Sequence, residues 1–324
     1  MSEVISALGR FLRQSPPGYA AARHVTDIER PVESDETVID LRAKIVEDSA
    51  LVQRDVPSRS GSGLRYFLDG TQRQRTVAYR KGEVSAPIVY GFVGAIILER
   101  QGREAGPCDG YFDYDEALYA PLELTPLDEM RSVGIDVRDT GATAAAWGDL
   151  ARCAQTAISN QRERLERALA HRWLERGHDG WLAIDGALRE QVQFQADSRV
   201  IGIAKSHRAQ FFEGADQAKV FGLKRGQRTS VFSIGGAVFT WYLRLHEPAD
   251  ASPLYGLIRV EAPRYEDGLA DEISAWLLNE TRPTSHPDAR FDRMLYPIRL
   301  CEEWIRSRMP SPMAISAGIG ASRA

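Results

Sequence analysis

Apolar residues recur at helical spacing near the start of the chain, at Val4, Leu8 and Leu12 with Phe11 beside them, and this predicts an amphipathic helix. A second helix is expected over residues 37–51, so residues 1–57 read as an N-terminal helical segment. The run PSRSGSG at 57–63 then reads as a linker. Beyond it residues 64–69, 76–80 and 86–99 read as three strands of a β-meander, the first pair separated by polar, turn-compatible residues. Residues 101–145 carry Gly, Pro and acidic residues without a sustained period and are expected to form an irregular insertion. From 145 to 177 the helical period returns, with Leu165, Leu169 and Trp173 on one face and Gly177 as a stop. Residues 181–185, 200–205, 229–234, 237–245 and 255–260 read as strands, residues 266–278 and 297–309 as helices, and a short strand is expected around Leu295. The small-residue tail at 310–324 is expected to be flexible. A meander, a long helix, a strand and further alternation imply an α/β layer architecture, in the order of the ribonuclease H-like fold: a mixed sheet flanked by helices, spanning residues 58–309.

With 324 residues and 43% apolar content the chain can bury a full core. Its longest apolar stretch, residues 86–98, is broken by Pro87, Tyr90 and Gly91 and falls short of the roughly 20 residues of a membrane helix. Arg10 and Arg13 are followed by no apolar signal core, so a cytoplasmic protein is expected. Cys108, Cys153 and Cys301 lie far apart and predict neither disulfides nor a zinc site. Only five of the 41 basic residues are lysine, and arginine suits two-pronged contacts to phosphate. A net charge of -4 gives no global attraction to nucleic acid, so any such path must be a local basic lining.

Two segments echo each other: YFLDGT at 66–71 and LAIDGA at 182–187, each an apolar strand ending in Asp-Gly. Asp-Gly can simply open a turn. Two aspartates ending neighbouring buried strands would also repel strongly, and a divalent cation would relieve that repulsion. Between the segments lies the helix QRERLERAL, whose Glu166 precedes the second strand and would reach the same point, with Glu163 as its alternative. Asp69, Glu166 and Asp185 are therefore the candidate ligands, and hard oxygen donors suit Mg²⁺ or Mn²⁺. Lys205, closing a strand in IGIAKSH, suits a phosphate or developing negative charge. Arg73 and Arg75, with Lys224, Arg225 and Arg228, are candidate contacts to DNA.

The ordered set FLDGT, the Glu-bearing helix, AIDGAL, IGIAKSH and LYPIRL resembles the motifs of the NurA family of DNA-end-processing nucleases. The resemblance implies a ribonuclease H-like fold and Mn²⁺- or Mg²⁺-dependent deoxyribonuclease activity, as a 5′–3′ exonuclease, an endonuclease or both. It further implies a homodimer enclosing DNA and a HerA-type hexameric ATPase as partner, in end processing, repair or antiviral defence. Asp69, Glu166 and Asp185 match the metal-binding carboxylates, Lys205 the strand-ending lysine, and Tyr296 the tyrosine before proline. Where the family carries a histidine further along that last helix, this chain has Trp304, with Glu302 and Glu303 beside it as alternative oxygen donors. That departure supports a second reading, a non-catalytic DNA-binding adaptor of the motor. An actin-like ATPase of the same broad fold is disfavoured, because no Gly-rich phosphate loop is present.

Overall fold

A computed structural model describes residues 2–14, 16–22, 38–39, 43–82, 85–102, 104–124, 127–142, 147–188, 194–207, 209–236, 238–247, 252–281, 293 and 295–320. Helix α1 (Glu3–Arg13) starts at Ser2, whose hydroxyl accepts from the Ile5 amide, and its Ile5, Leu8 and Phe11 are buried. The meander is longer and more regular than its sequence pattern suggests. Strands β1 (Leu64–Arg80), β2 (Ala86–Gln101) and β3 (Glu104–Ala120) pair antiparallel in series. The expected strands at 64–69 and 76–80 are one strand, with only a register shift between Thr76 and Ala78.

The expected irregular insertion is instead β3, a short helix Asp128–Ser132 and an edge strand Val137–Asp139. Its acids hid a period of two. Phe112 and Tyr114 lie on one face, while Asp113 meets Arg172 and Asp115 meets Arg138 on the other. The helix expected over 37–51 is also absent: Val38–Ile39 and Ala43–Ile45 are strands, and residues 37 and 40–42 lie outside the described residues. β-Branched Val38, Ile39 and Ile45 favour extended backbone over the helical spacing they happen to mimic.

Helix α2 (Trp147–Arg176) ends at Gly177, whose φ of 63° terminates it as expected. It leads into β4 (Trp181–Asp185), which runs parallel to β1, and β5 (Val200–Ala204) runs parallel to β4. The sheet order β3-β2-β1-β4-β5 is that of the ribonuclease H-like fold. Two further antiparallel strands, β6 (Val238–Arg244) and β7 (Leu257–Ala262), extend it with β7 next to β5. The expected strand at 229–234 is split into Gln227–Thr229 and Phe232–Ile234.

Helices then cover the second face: α3 (Leu269–Asn279), α4 (Tyr296–Arg306) and α5 (Pro312–Ile319). Around Leu295 there is a single bridge to Thr281 in place of a strand. The expected flexible tail is α5, capped by Ser311, with Ile315 and Ile319 buried; residues 321–324 lie outside the described residues. It crosses α1 where both helices carry glycine, and a Cβ on Gly9 would lie 1.9 Å from the Gly318 carbonyl oxygen. Only glycine permits that approach.

The result is three layers. Tyr66, Leu68, Leu182 and Ile184 pack on Leu169 and Trp173 of α2. Phe67, Ala183, Ile201 and Ile203 face Ile298, Cys301 and Ile305 of α4, in the same core as Ile5 and Leu8. Among the described residues no helix is long and apolar enough to cross a membrane.

Candidate functional site

Strand register brings the two aspartates together. Leu68 pairs with Ile184 across the parallel β1–β4 ladder, so one step further places Asp69 beside Asp185, pointing to the same face. This is the carboxyl end of β4 and β5, where open α/β sheets form their ligand crevices. Asp69 is only 3% exposed. Its Oδ1 accepts from the Gly70 amide at 2.8 Å, while Oδ2 is buried without a hydrogen-bond partner. Lys205, one residue past β5, brings Nζ to 2.8 Å from Asp185 Oδ1.

Glu166 reaches this point from the opposite face. Along β1, Phe67 and Asp69 point toward α4, and Leu68 and Gly70 toward α2. A Cβ on Gly70 would lie 2.2 Å from Glu166 Oε1, so the missing side chain is what lets the helix carboxylate descend to the sheet. Glu166 is 1% exposed, accepts from Arg162 at 2.5 Å through Oε1, and keeps Oε2 buried without a partner. Glu163, the alternative, is 45% exposed and turns toward solvent. Helical spacing alone does not separate the two; their burial differs.

Electrostatics ties the group together. Burial pushes the Asp69 carboxyl well above the usual carboxylate range, and the charges of Asp185, Glu302 and Glu166 push it further. Burial also raises Glu166, to about 7, with Asp185 adding to it against the pull of Arg162. Lys205 is held above the ordinary lysine value: burial lowers it, but attraction to Asp185 and Asp69 prevails.

The last helix turns the two glutamates beside Trp304 in different directions. Cys301 lies over Phe67, donating to its carbonyl, and Ile305 lies over Gly94, so these residues face the sheet. Trp304 turns toward β3 and meets Phe112 edge-on at 4.7 Å. Glu302 therefore lies on the opposite flank, toward Asp69 and Lys205, steadied by Arg306 at 2.7 Å. Glu303 points outward to Arg299. Tyr296, at the start of α4 with Pro297 in its first turn, is exposed.

Asp69 thus feels the charges of Asp185, Glu302, Glu166 and Lys205, and Glu166 those of Arg162 and Asp185. The residual negative charge and the two partnerless buried oxygens fit a divalent cation. Among the described residues no three His, Cys, Asp or Glu side chains already form a metal cage, so the donors would have to draw together around an ion.

The basic candidates divide. Arg228 is fully buried, with its guanidinium held by Glu47 at 2.7 Å and Asp271 at 2.5 Å, so it is a structural ion pair and not a DNA contact. Sequence shows charge but not depth. Arg75 is buried on β1, and Arg73 donates to the Pro310 carbonyl at 2.5 Å. Lys224 and Arg225 are exposed, on a turn hydrogen-bonded to the carboxyl end of β6. That end lies level with Lys205, because β6 runs parallel to β5 across β7.

The architecture and side chains define a mixed α/β protein with an acidic site at the carboxyl ends of its central parallel strands. No protein-family model matches the chain, and no curated protein matches it in sequence. Among solved structures it is similar to the crystal structure of the NurA nuclease from Sulfolobus solfataricus, with 14% identity, 83% of this chain and 85% of that one covered, and a TM-score of 0.48.

Proposed function

We propose that the protein is a metal-dependent deoxyribonuclease that hydrolyses phosphodiesters at DNA ends. The observation that supports this best is the pair of partnerless buried oxygens, Asp69 Oδ2 and Glu166 Oε2, beside Asp185 at the carboxyl edge of the sheet. Burying carboxylates this way is costly unless a cation arrives. Asp69, Asp185 and Glu166, with Glu302 in support, would hold Mn²⁺ or Mg²⁺, which when bound supplies Lewis acidity toward water and phosphate. Lys205 offers an ammonium to a phosphate oxygen once it leaves Asp185, and the motif resemblance alone adds Tyr296. Lys224 and Arg225 extend the positive lining at the same edge of the sheet. Following the motif resemblance, the working form is a homodimer coupled to a HerA-type ATPase, in the cytoplasm, in end processing or defence.

The test is cleavage of labelled linear DNA by purified protein in Mn²⁺ against EDTA. Cleavage only with metal is expected; none in either condition overturns the proposal. A second reading, a non-catalytic DNA-binding adaptor, is favoured by the Lys205–Asp185 ion pair, which already compensates one carboxylate. It predicts DNA binding that survives Asp69→Asn and never proceeds to cleavage.

A further inference from the structure

Beyond the acidic site lies a run of rings that the proposed chemistry leaves unused. Phe92 and Tyr114 stack nearly parallel at 5.8 Å, Tyr114 and Phe112 at 5.7 Å, and Phe112 meets Trp304 edge-on at 4.7 Å. Phe92 is buried and Phe112 and Trp304 are half-buried, but Tyr114 is 60% exposed. The cross-strand neighbour of Tyr114 is Gly94, over which Ile305 packs. Tyr114 thus combines neighbouring rings with an exposed surface, which suits it to meet a further planar ring.

The charges around it specify which kind of planar ring. The exposed guanidinium of Arg308 lies 3.1 Å from the centre of the Trp304 ring. Arg73 sits opposite Phe92 across the β1–β2 ladder. The aspartates that flank Tyr114, Asp113 and Asp115, point to the other face, where Arg172 and Arg138 hold them. On the ring face, Glu116, the cross-strand partner of Phe92, accepts from Ser2. Rings beside cations, with Asp113 and Asp115 held on the other face and Glu116 engaged by Ser2, match a base attached to a phosphate.

Position supports the same occupant. Asp69, Ile96 and Phe112 form one row across β1, β2 and β3 and share a face. Two strand spacings separate Phe112 from Asp69, about 10 Å. Helix α4 stands between them, with Glu302 on the acidic flank and Trp304 on the aromatic flank.

We infer that Tyr114, backed by Phe92 and Phe112 and flanked by Trp304 and Arg308, is a stacking platform for an unpaired base of a single-stranded nucleic acid entering the acidic site. The inference rests on the nuclease reading for its ligand class. Stacking tolerates any base, so the platform selects single strands and not a sequence. Duplex DNA, whose bases are already stacked, gains nothing from it.

The test is fluorescence anisotropy of the full-length protein with a labelled oligothymidylate and with a labelled duplex, in EDTA so that nothing is cut. Tyr114→Ala is expected to weaken oligothymidylate binding about tenfold or more, the scale of one lost base–aromatic stack. Tyr114→Phe should keep wild-type affinity, duplex binding should be unchanged in both, and both should melt like the parent because the ring is exposed. Metal-dependent cleavage by the wild type together with unaltered oligothymidylate binding by Tyr114→Ala overturns the platform and leaves the nuclease reading standing. So does a Tyr114→Ala protein that loses a dimer at unchanged affinity, which would make the ring a contact between copies of the chain. A wild type that neither binds nor cleaves any DNA removes both readings.

Discussion

Asp69 sets stability against function, because the burial that positions it also makes its charge costly, while Asp185 beside it is compensated by Lys205. Asp69→Asn and Asp185→Asn nearly preserve volume while removing one charge each. DNA cleavage should fall by at least about a hundredfold, roughly the scale of losing one strong stabiliser of transition-state charge. Metal-free Asp69→Asn should nevertheless melt at or above the parent temperature, whereas Asp185→Asn, which takes the nearest carboxylate from buried Lys205, should melt below it. Glu166→Gln should likewise lose cleavage, and exposed Glu163→Gln should leave it unchanged. Wild-type rates in all of the first three, read in Mn²⁺, would dismiss the site.

His207 offers an independent reading of pH. Burial beside Tyr242, followed by the charges of Arg293 and Arg259, lowers it to about 4, even though its ring contacts the Leu257 carbonyl at 2.9 Å. A histidine lowered in the folded state takes up its proton on unfolding. Its contribution is therefore complete above the unfolded value of about 6.5 and is lost as pH falls toward 4, at most about 3 kcal/mol. Melting temperatures should drop over that range, and His207→Gln should flatten the drop; an unchanged slope in the variant would assign the effect elsewhere.

Elements explain why the acidic site could be read so early and its surroundings could not. Asp69, Asp185 and Lys205 each close an apolar run, so the strand pattern itself marks them. Glu166 became distinguishable from Glu163 only through the depth at which α2 sits over Gly70. The ring platform escaped notice because β3 alternates aromatics with aspartates whose partners, Arg172 and Arg138, lie 59 and 23 residues away. Arg228 was misread for the same reason, its partner Glu47 being 181 residues distant. The contact between α2 and β1 yields its own prediction. Gly70→Ala places a methyl group where Glu166 Oε1 now sits, so the carboxylate must retreat. Cleavage should fall roughly tenfold or more, as expected for about 1 Å of misplacement, while overpacking lowers stability by about 1–3 kcal/mol. Full activity in Gly70→Ala, assayed with its melting curve, would show that Glu166 is not needed at that height.

At the scale of the whole molecule, a bound cation should act as a ligand of the folded state alone. Mn²⁺ at about a hundred times its dissociation constant should stabilise by about 2.7 kcal/mol, raising the melting temperature by several degrees. Asp69→Asn should lose most of that rise. Light scattering at micromolar concentration should report a dimer, and a stable monomer would remove the proposed DNA-enclosing assembly.

The meander has one more consequence, for the order in which the molecule is built. β1, β2 and β3 join through neighbouring hairpins, whereas β4 must reach β1 across more than a hundred residues, from Leu68 to Ile184. Short closures form faster than long ones. Asp69 is thus laid down early, and Asp185 arrives beside it only in the late docking of the parallel strands, already facing a like charge. In stopped-flow refolding, Asp69→Asn should accelerate that late step and leave the early one alone; an unchanged late rate would show that repulsion between the two aspartates does not limit the docking of β4.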